Sequence, residues 1–242
     1  MTQESNALLH RVKERKRISI GGMPAWEISL SGQSCMLITS GMGAKRASQA
    51  ARILVENFAP SSLISFGIGG AVEADLEIGD VVLPEAYCRF DEGTMGELKP
   101  LTPWPASARL AASQELARHG RQLYVGTAVT TRGSQVISGQ LGSLKHPVLE
   151  METAGIAQVA GENGIPLLSL RSISDGPRAP IPLDLSEVMD EDANLNMIKM
   201  IQAVMRQPKI ILQSRLMLKN TQIAADNAAL ALIAALSKLS DN

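Results

Sequence analysis

Aromatic side chains are scarce in this chain: two Trp, two Tyr and three Phe make up 3% of 242 residues. Few groups are therefore available to stack on a planar ligand. Cysteine is scarcer still. Cys35 and Cys88 stand alone, without metal-site spacing or a disulfide framework, and read as small core residues. Charge of one sign is also missing. The 23 basic and 24 acidic residues are interspersed for a net −1, so no basic stripe marks a nucleic-acid surface. No apolar run has the length of a membrane span, and the N-terminal MTQESNALLHRVKERKR lacks the apolar centre of a signal peptide. Repeats and low-complexity linkers are absent too. What remains is the expectation of a cytoplasmic protein with neither metal nor cofactor. Its 242 residues, 45% of them hydrophobic, suit one α/β domain with a sizeable core.

The most informative stretch is residues 149–175, LEMETAGIAQVAGENGIPLLSLRSISD. It reads as strand, helix, strand. Glu150 and Glu152 are two apart, so an extended segment points both to one side and Met151 to the other. Ile156, Val159 and Ala160 then share a helical face, and Asn163-Gly164 stops the helix. Leu167 to Ile173 is almost unbroken apolar sequence, the mark of a strand buried on both faces. It delivers Ser174 and Asp175 to its carboxyl end, where open α/β sheets bind ligands. Taken singly, Asp175 reads as a turn cap and Glu152 as an acid in the first turn of a helix. Arg171 changes the weighting, because a charge inside an apolar strand is costly unless it is paired.

Elsewhere, residues 4–16 read as a helix whose end, Lys13 to Arg17, is a solvated charge run. Short strands follow at residues 18–20, 24–30 and 35–39, spaced as hairpins. A helix is expected over 44–58, then a buried strand from Leu63 running into a Gly-rich turn at Gly67, Gly69 and Gly70. That glycine pattern is weak by itself and matches a dinucleotide fingerprint only in part. Another strand follows Gly79-Asp80, a loop covers 91–104, a helix 106–118 and a strand 123–131. Residues 133–139 form a polar loop holding Val136 and Ile137. Residues 176–182, with three prolines, read as an ordered loop or lid; residues 187–206 and 209–239 read as helices. Charges recur among the apolar residues of 209–239, so this segment is expected to pack on the domain or across a dimer rather than to span a membrane.

Glu150-Met151-Glu152 followed by Arg171-Ser172-Ile173-Ser174-Asp175 resembles the signature of the bacterial methylthioadenosine/S-adenosylhomocysteine nucleosidases, within the nucleoside phosphorylase superfamily. The glycine stretch followed by Gly79-Asp80-Val81-Val82 is a second likeness. The resemblance covers roughly residues 1–200 and leaves the C-terminal helices without a counterpart. It implies a single three-layer α/β/α domain with a mixed, largely parallel sheet, acting as a homodimer on a small nucleoside in methionine salvage. Asp175 would protonate N7 of adenine, Glu152 would accept the ribose hydroxyls, and Met151 would lie against the sugar. Arg171 would help to hold the attacking water, Ser174 would orient the acid, and Gly69 and Gly70 would lie along the base. Registering on Gly21-Gly22 makes Glu4 the water-activating carboxylate.

The chain departs from the family at three points. No buried strand precedes Glu4, which leads us to expect that the working protein has an additional strand upstream. Ile68 stands where relatives have a Ser, and Val136 where they have a stacking aromatic. Three functions remain open at this point. One is hydrolysis of a 5′-modified adenosine, a lipid-linked adenosine of the hopanoid-associated branch included. The others are a phosphate-dependent phosphorylase and a non-catalytic nucleoside binder. Ser65 and Ile68 replace the Arg and Ser of phosphorylase relatives, which favours water as the nucleophile.

Overall fold

The computed structural model describes residues 2–132, 139–178 and 209–239, with side chains from 215 onward in the last stretch. The chain opens with helix α1 (Thr2–Leu9) and a three-stranded antiparallel sheet, β1 (Arg15–Ile20), β2 (Met23–Leu30) and β3 (Gln33–Ile38). Both hairpin turns have two consecutive residues at positive φ: Gly21 and Gly22 at 57° and 77°, Ser31 and Gly32 at 52° and 80°. That geometry matches the twist of the strands it joins. The expected helix over 4–16 is thus shorter, and the charge run is not its end. Arg15, Lys16 and Arg17 lie in β1, exposed, with the backbone paired to β2 and Lys16 beside Glu27 at 3.3 Å. An antiparallel sheet tolerates such residues because one face can stay in water.

The main sheet is mixed, with strand order β10-β4-β9-β8-β5-β6 and β7 also on β5. Its strands are β4 (Leu63–Ala71), β5 (Val81–Asp91), β6 (Thr94–Met95), β7 (Lys99–Pro100), β8 (Leu123–Thr131), β9 (Pro147–Glu150) and β10 (Leu167–Asp175). The pairs β10–β4, β5–β8 and β8–β9 are parallel. The pairs β4–β9 and β5–β10 are antiparallel, and the second closes the sheet back on itself with Arg171 opposite Val82.

Helices α2 (Ala44–Phe58) and α4 (Thr153–Glu162) pack together with Leu63 and Leu167. Leu168 and Leu170, one step along β10, join the other cluster with α1, α3 (Ala106–Arg118) and α5 (Lys209–Leu236). The strand alternation thus feeds both layers. Fully buried Ala224, Ala225, Ala228 and Ala235 let α5 lie close to the sheet and to α3. Trp104, buried in the segment before α3, donates its indole N–H to the Ser169 carbonyl at 2.8 Å. Among the described residues no helix is long and apolar enough to cross a membrane.

One element departs from expectation where it matters. There is no Gly-rich turn after Leu63; β4 runs through Gly67, Gly69 and Gly70 to Ala71. Along most of its length its strand partner is β10, with β9 reaching only Gly70 and Ala71, and α1 packs nearby. Val136, Ile137, the helix expected over 187–206 and most of the proline-rich loop lie outside the described residues.

Candidate active site

Arg171 sits in the middle of β10 and is only 2% exposed. Its Nη1 donates to the carbonyls of Ser65 (3.0 Å) and Leu170 (2.9 Å). Its Nη2 donates to Ser65 Oγ (2.7 Å), Glu150 Oε2 (2.9 Å) and Thr153 Oγ1 (3.1 Å). The partner demanded by a charge in an apolar strand is therefore Glu150, at the end of β9. A buried pair is sustained only when the remaining polar valences are also met. Glu150 meets them: Oε2 accepts the N–H groups of Glu152 (2.9 Å) and Thr153 (2.7 Å) and the Thr153 hydroxyl (2.8 Å), and Oε1 takes the Thr130 hydroxyl. Burial pushes the Glu150 carboxyl up, but Arg171, Thr130 and the two N–H groups outweigh it and hold the group below its ordinary value.

Glu152 is placed differently from the sequence expectation. The strand ends at Glu150, and Glu152 has turned to φ −122° and ψ −39° as the cap residue of α4. The two carboxylates are neighbours through this turn and not through strand alternation. Glu152 Oε1 accepts the N–H of Gly43 at 3.0 Å, at the start of α2, and Oε2 that of Met151 at 3.3 Å. Burial and then the Glu150 charge push the Glu152 carboxyl up to about 7; Arg171 and the Gly43 N–H oppose this, and Glu4 adds to it. Gly155 makes the approach of α2 to α4 feasible, since a Cβ there would lie 2.1 Å from the Ala44 carbonyl oxygen. Met151 is half-buried at the junction of β9 and α4.

Glu4, on α1, is 7% exposed and reaches β4, where its Oε1 accepts the N–H of Ile68 at 3.3 Å. Asp175 lies beyond a register shift at the end of β10, paired with Gly70. Ser174 Oγ is 2.6 Å from Asp175 Oδ1 and 3.3 Å from the Gly69 carbonyl. Burial raises the Asp175 carboxyl above its ordinary value, and Ser174 offsets part of this. The glycines of β4 make room for these acids. A Cβ at Gly67 would lie 2.8 Å from Glu4 Oε1, and one at Gly70 would lie 2.7 Å from Asp175 Oδ2. Glu4, Glu152, Arg171, Ser174 and Asp175, drawn from distant parts of the sequence, all gather around β4 and its neighbours.

The fold has known counterparts. The family model of the phosphorylase superfamily matches residues 2–206. The chain belongs to the phosphorylase superfamily. Solved structures share the fold over nearly the whole length. The 5′-methylthioadenosine/S-adenosylhomocysteine nucleosidase of Neisseria meningitidis, in complex with methylthio-immucillin-A, has a TM-score of 0.69 and 22% identity, covering 98% of this chain and 95% of that one. The nucleosidase of the same name from Colwellia psychrerythraea, in complex with adenine, has a TM-score of 0.71 and 20% identity over 99% and 92%. Futalosine hydrolase of Helicobacter pylori has a TM-score of 0.68 and 16% identity over 98% and 94%. Coverage of this extent leaves no room for α5 to lie outside the shared fold. The C-terminal segment therefore has a counterpart, contrary to the reading of the sequence. Its spacing is that of an ordinary amphipathic helix, and no side chain in it takes part in the motifs that carried the resemblance.

Within this superfamily member, Thr130, Thr153 and the Gly43 N–H are site components that the sequence did not single out, and Ser65, noted there only as the replacement of an Arg, is an acceptor for Arg171. Arg171 was the one signal, since a charge in that strand required acceptors somewhere. Nothing local marks Thr130 among the residues of β8 or Gly43 among turn glycines.

Proposed function

We propose that this chain hydrolyses the N-glycosidic bond of a 5′-modified adenosine and releases adenine. Methylthioadenosine and S-adenosylhomocysteine are the first substrates to consider, and a lipid-linked adenosine is a further one. The observation that carries the reading is the placement of Asp175 and Glu4 against β4, with Glu152 at the start of α4 close enough to feel the Glu4 charge, while the Arg171 cation is consumed by Glu150. Glycosidic cleavage needs an acid for the leaving group and a base for the nucleophile.

In this reading Asp175 donates its proton to N7 as the C1′–N9 bond breaks and its electron pair passes to the base. Water attacks C1′ and gives a proton to Glu4, and the products are adenine and a free sugar. A carboxyl raised by burial holds its proton to higher pH than a free one and is the better donor for it. Ser174 serves either state of the acid. It donates to the carboxylate, or accepts from the protonated form while its own hydrogen turns to the Gly69 carbonyl. Glu152 receives the ribose hydroxyls, Met151 lies against the sugar, and Gly69 and Gly70 lie along the base. A homodimer in the cytoplasm, serving methionine salvage, fits this reading.

A phosphorylase is the second reading, because the superfamily contains the name. It is disfavoured here: a dianion needs free cationic donors, yet Arg171 is fully buried and paired, and Glu4 and Glu152 add negative charge. A non-catalytic nucleoside binder would not need an acid held at a strand end. The test is adenine release from a panel of 5′-modified adenosines, with and without phosphate. Release from none of them overturns the reading.

A further inference from the structure

We infer that Glu150 is a positioning residue that fixes the ribose-binding carboxylate of Glu152 by tying the first turn of α4 to Arg171 on β10 and Thr130 on β8. The inference rests on the proposed role of Glu152. The geometry supplies the connection. Glu150 Oε2 collects the N–H of Glu152 and both the N–H and hydroxyl of Thr153, the donors that a helix start leaves unmet. Oε1 takes the Thr130 hydroxyl, and Thr130 Oγ1 in turn accepts the N–H of Ala154 at 3.0 Å. The first residues of α4 are thus anchored on one carboxylate from below, and that carboxylate is anchored on Arg171 at 2.9 Å. Glu152 itself has no side-chain bond to its own helix start, and the Gly43 N–H at 3.0 Å is a contact from another helix. The groups whose charges act on Glu152 are Glu150, Arg171 and Glu4. Without the tie, the backbone that carries Glu152 would have two inward N–H groups and the Thr153 hydroxyl to satisfy in another way, and a shift of a fraction of an ångström is enough to spoil a bond to a ribose hydroxyl.

The variant Glu150→Asp keeps the charge opposite Arg171 but draws the carboxylate back by one methylene, so it no longer spans Arg171 and the α4 N–H groups together. The readout is the ratio of dissociation constants for carbocyclic adenosine and its 3′-deoxy counterpart, which binding alone sets. In the wild type the hydroxyl should be worth about 10- to 100-fold, as a hydrogen bond to a charged acceptor. In E150D the ratio should fall to within about threefold, because a displaced Glu152 no longer distinguishes the two ligands. A variant that merely loosened the fold would weaken both ligands alike. An unchanged ratio in E150D overturns the inference and leaves the reading of Glu152 standing. A wild type that binds both ligands equally, or neither, overturns the ribose role of Glu152 and the inference with it. Thr130→Val, which leaves the ion pair intact, carries the same test if E150D does not fold. It should lower the ratio by a smaller factor, and an unchanged ratio counts against the proposal. Since turnover is not measured, failure of the hydrolase reading is scored separately.

Discussion

Gly70 and Asp175 are register partners across β4 and β10, and a methyl group on Gly70 would lie 2.7 Å from Oδ2 of Asp175. The glycine is thus a steric requirement of the acid. Gly70→Ala should push the carboxyl off its position and lower kcat by about 100-fold or more, the scale of a general acid's contribution. Asp175→Asn should do the same while inhibitors still bind. Equal binding of a substrate analogue with loss of base release would check both; near wild-type turnover in either variant would remove Asp175 from the mechanism.

Glu152 predicts a trade of stability for function. Its carboxyl is raised in the folded protein to about 7 from an ordinary 4.5. Between these values the folded state binds the proton more tightly than the unfolded chain. Stability is therefore fully retained below the ordinary value and lost as pH rises towards 7. Glu152→Gln should abolish ribose recognition yet stabilise the fold at pH 8 by up to about 3 kcal/mol, with little gain at pH 4. Urea unfolding of both proteins at the two pH values measures this. A variant less stable than wild type at pH 8 would contradict it.

Arg171 should resist conservative replacement. Lysine offers one point charge where five contacts are now made by a planar fork. Arg171→Lys should cost about 2 to 4 kcal/mol in denaturant unfolding, because Glu150 is left partly unmatched in a buried site. Stability within about 0.5 kcal/mol of wild type would show that the network is not structural.

Gly155, in the first turn of α4 with its N–H on the Glu152 carbonyl, offers a test of the helix contact. A side chain there collides with the Ala44 carbonyl and must separate α2 from α4. Gly155→Ala should therefore weaken substrate binding through loss of the Gly43 N–H from Glu152, in addition to destabilising the fold by about 1 to 3 kcal/mol. Crystallography of the variant with Gly43 still bonded to Glu152 would refute the link.

Much of this was legible in the sequence. The helix over 106–118 and the strand over 123–131 appear with the expected bounds, and the strand read from Leu167 to Ile173 by its unbroken apolar run extends to Asp175. Arg171 announced a buried partner. The identity of that partner's network was not legible, because Thr130 joins Glu150 only through the parallel pairing of β8 with β9, and Thr153 only through the turn that leads into α4. The glycines of β4 were misread as a turn. Glycine marks either a turn or a close approach, and only the placement of Glu4 and Asp175 reveals which. The charge run at Arg15 to Arg17 failed for another reason. A short exposed strand and a solvated helix end have the same composition, and pairing with β2 decides between them.

The central claim is that water is the nucleophile. Base release in heavy-oxygen water, with and without phosphate, tests it most directly by mass analysis of the sugar product. The account predicts a free sugar carrying the heavy oxygen at C1, formed at a rate independent of phosphate. A ribose 1-phosphate product without the label, or a rate that saturates with phosphate, would contradict it.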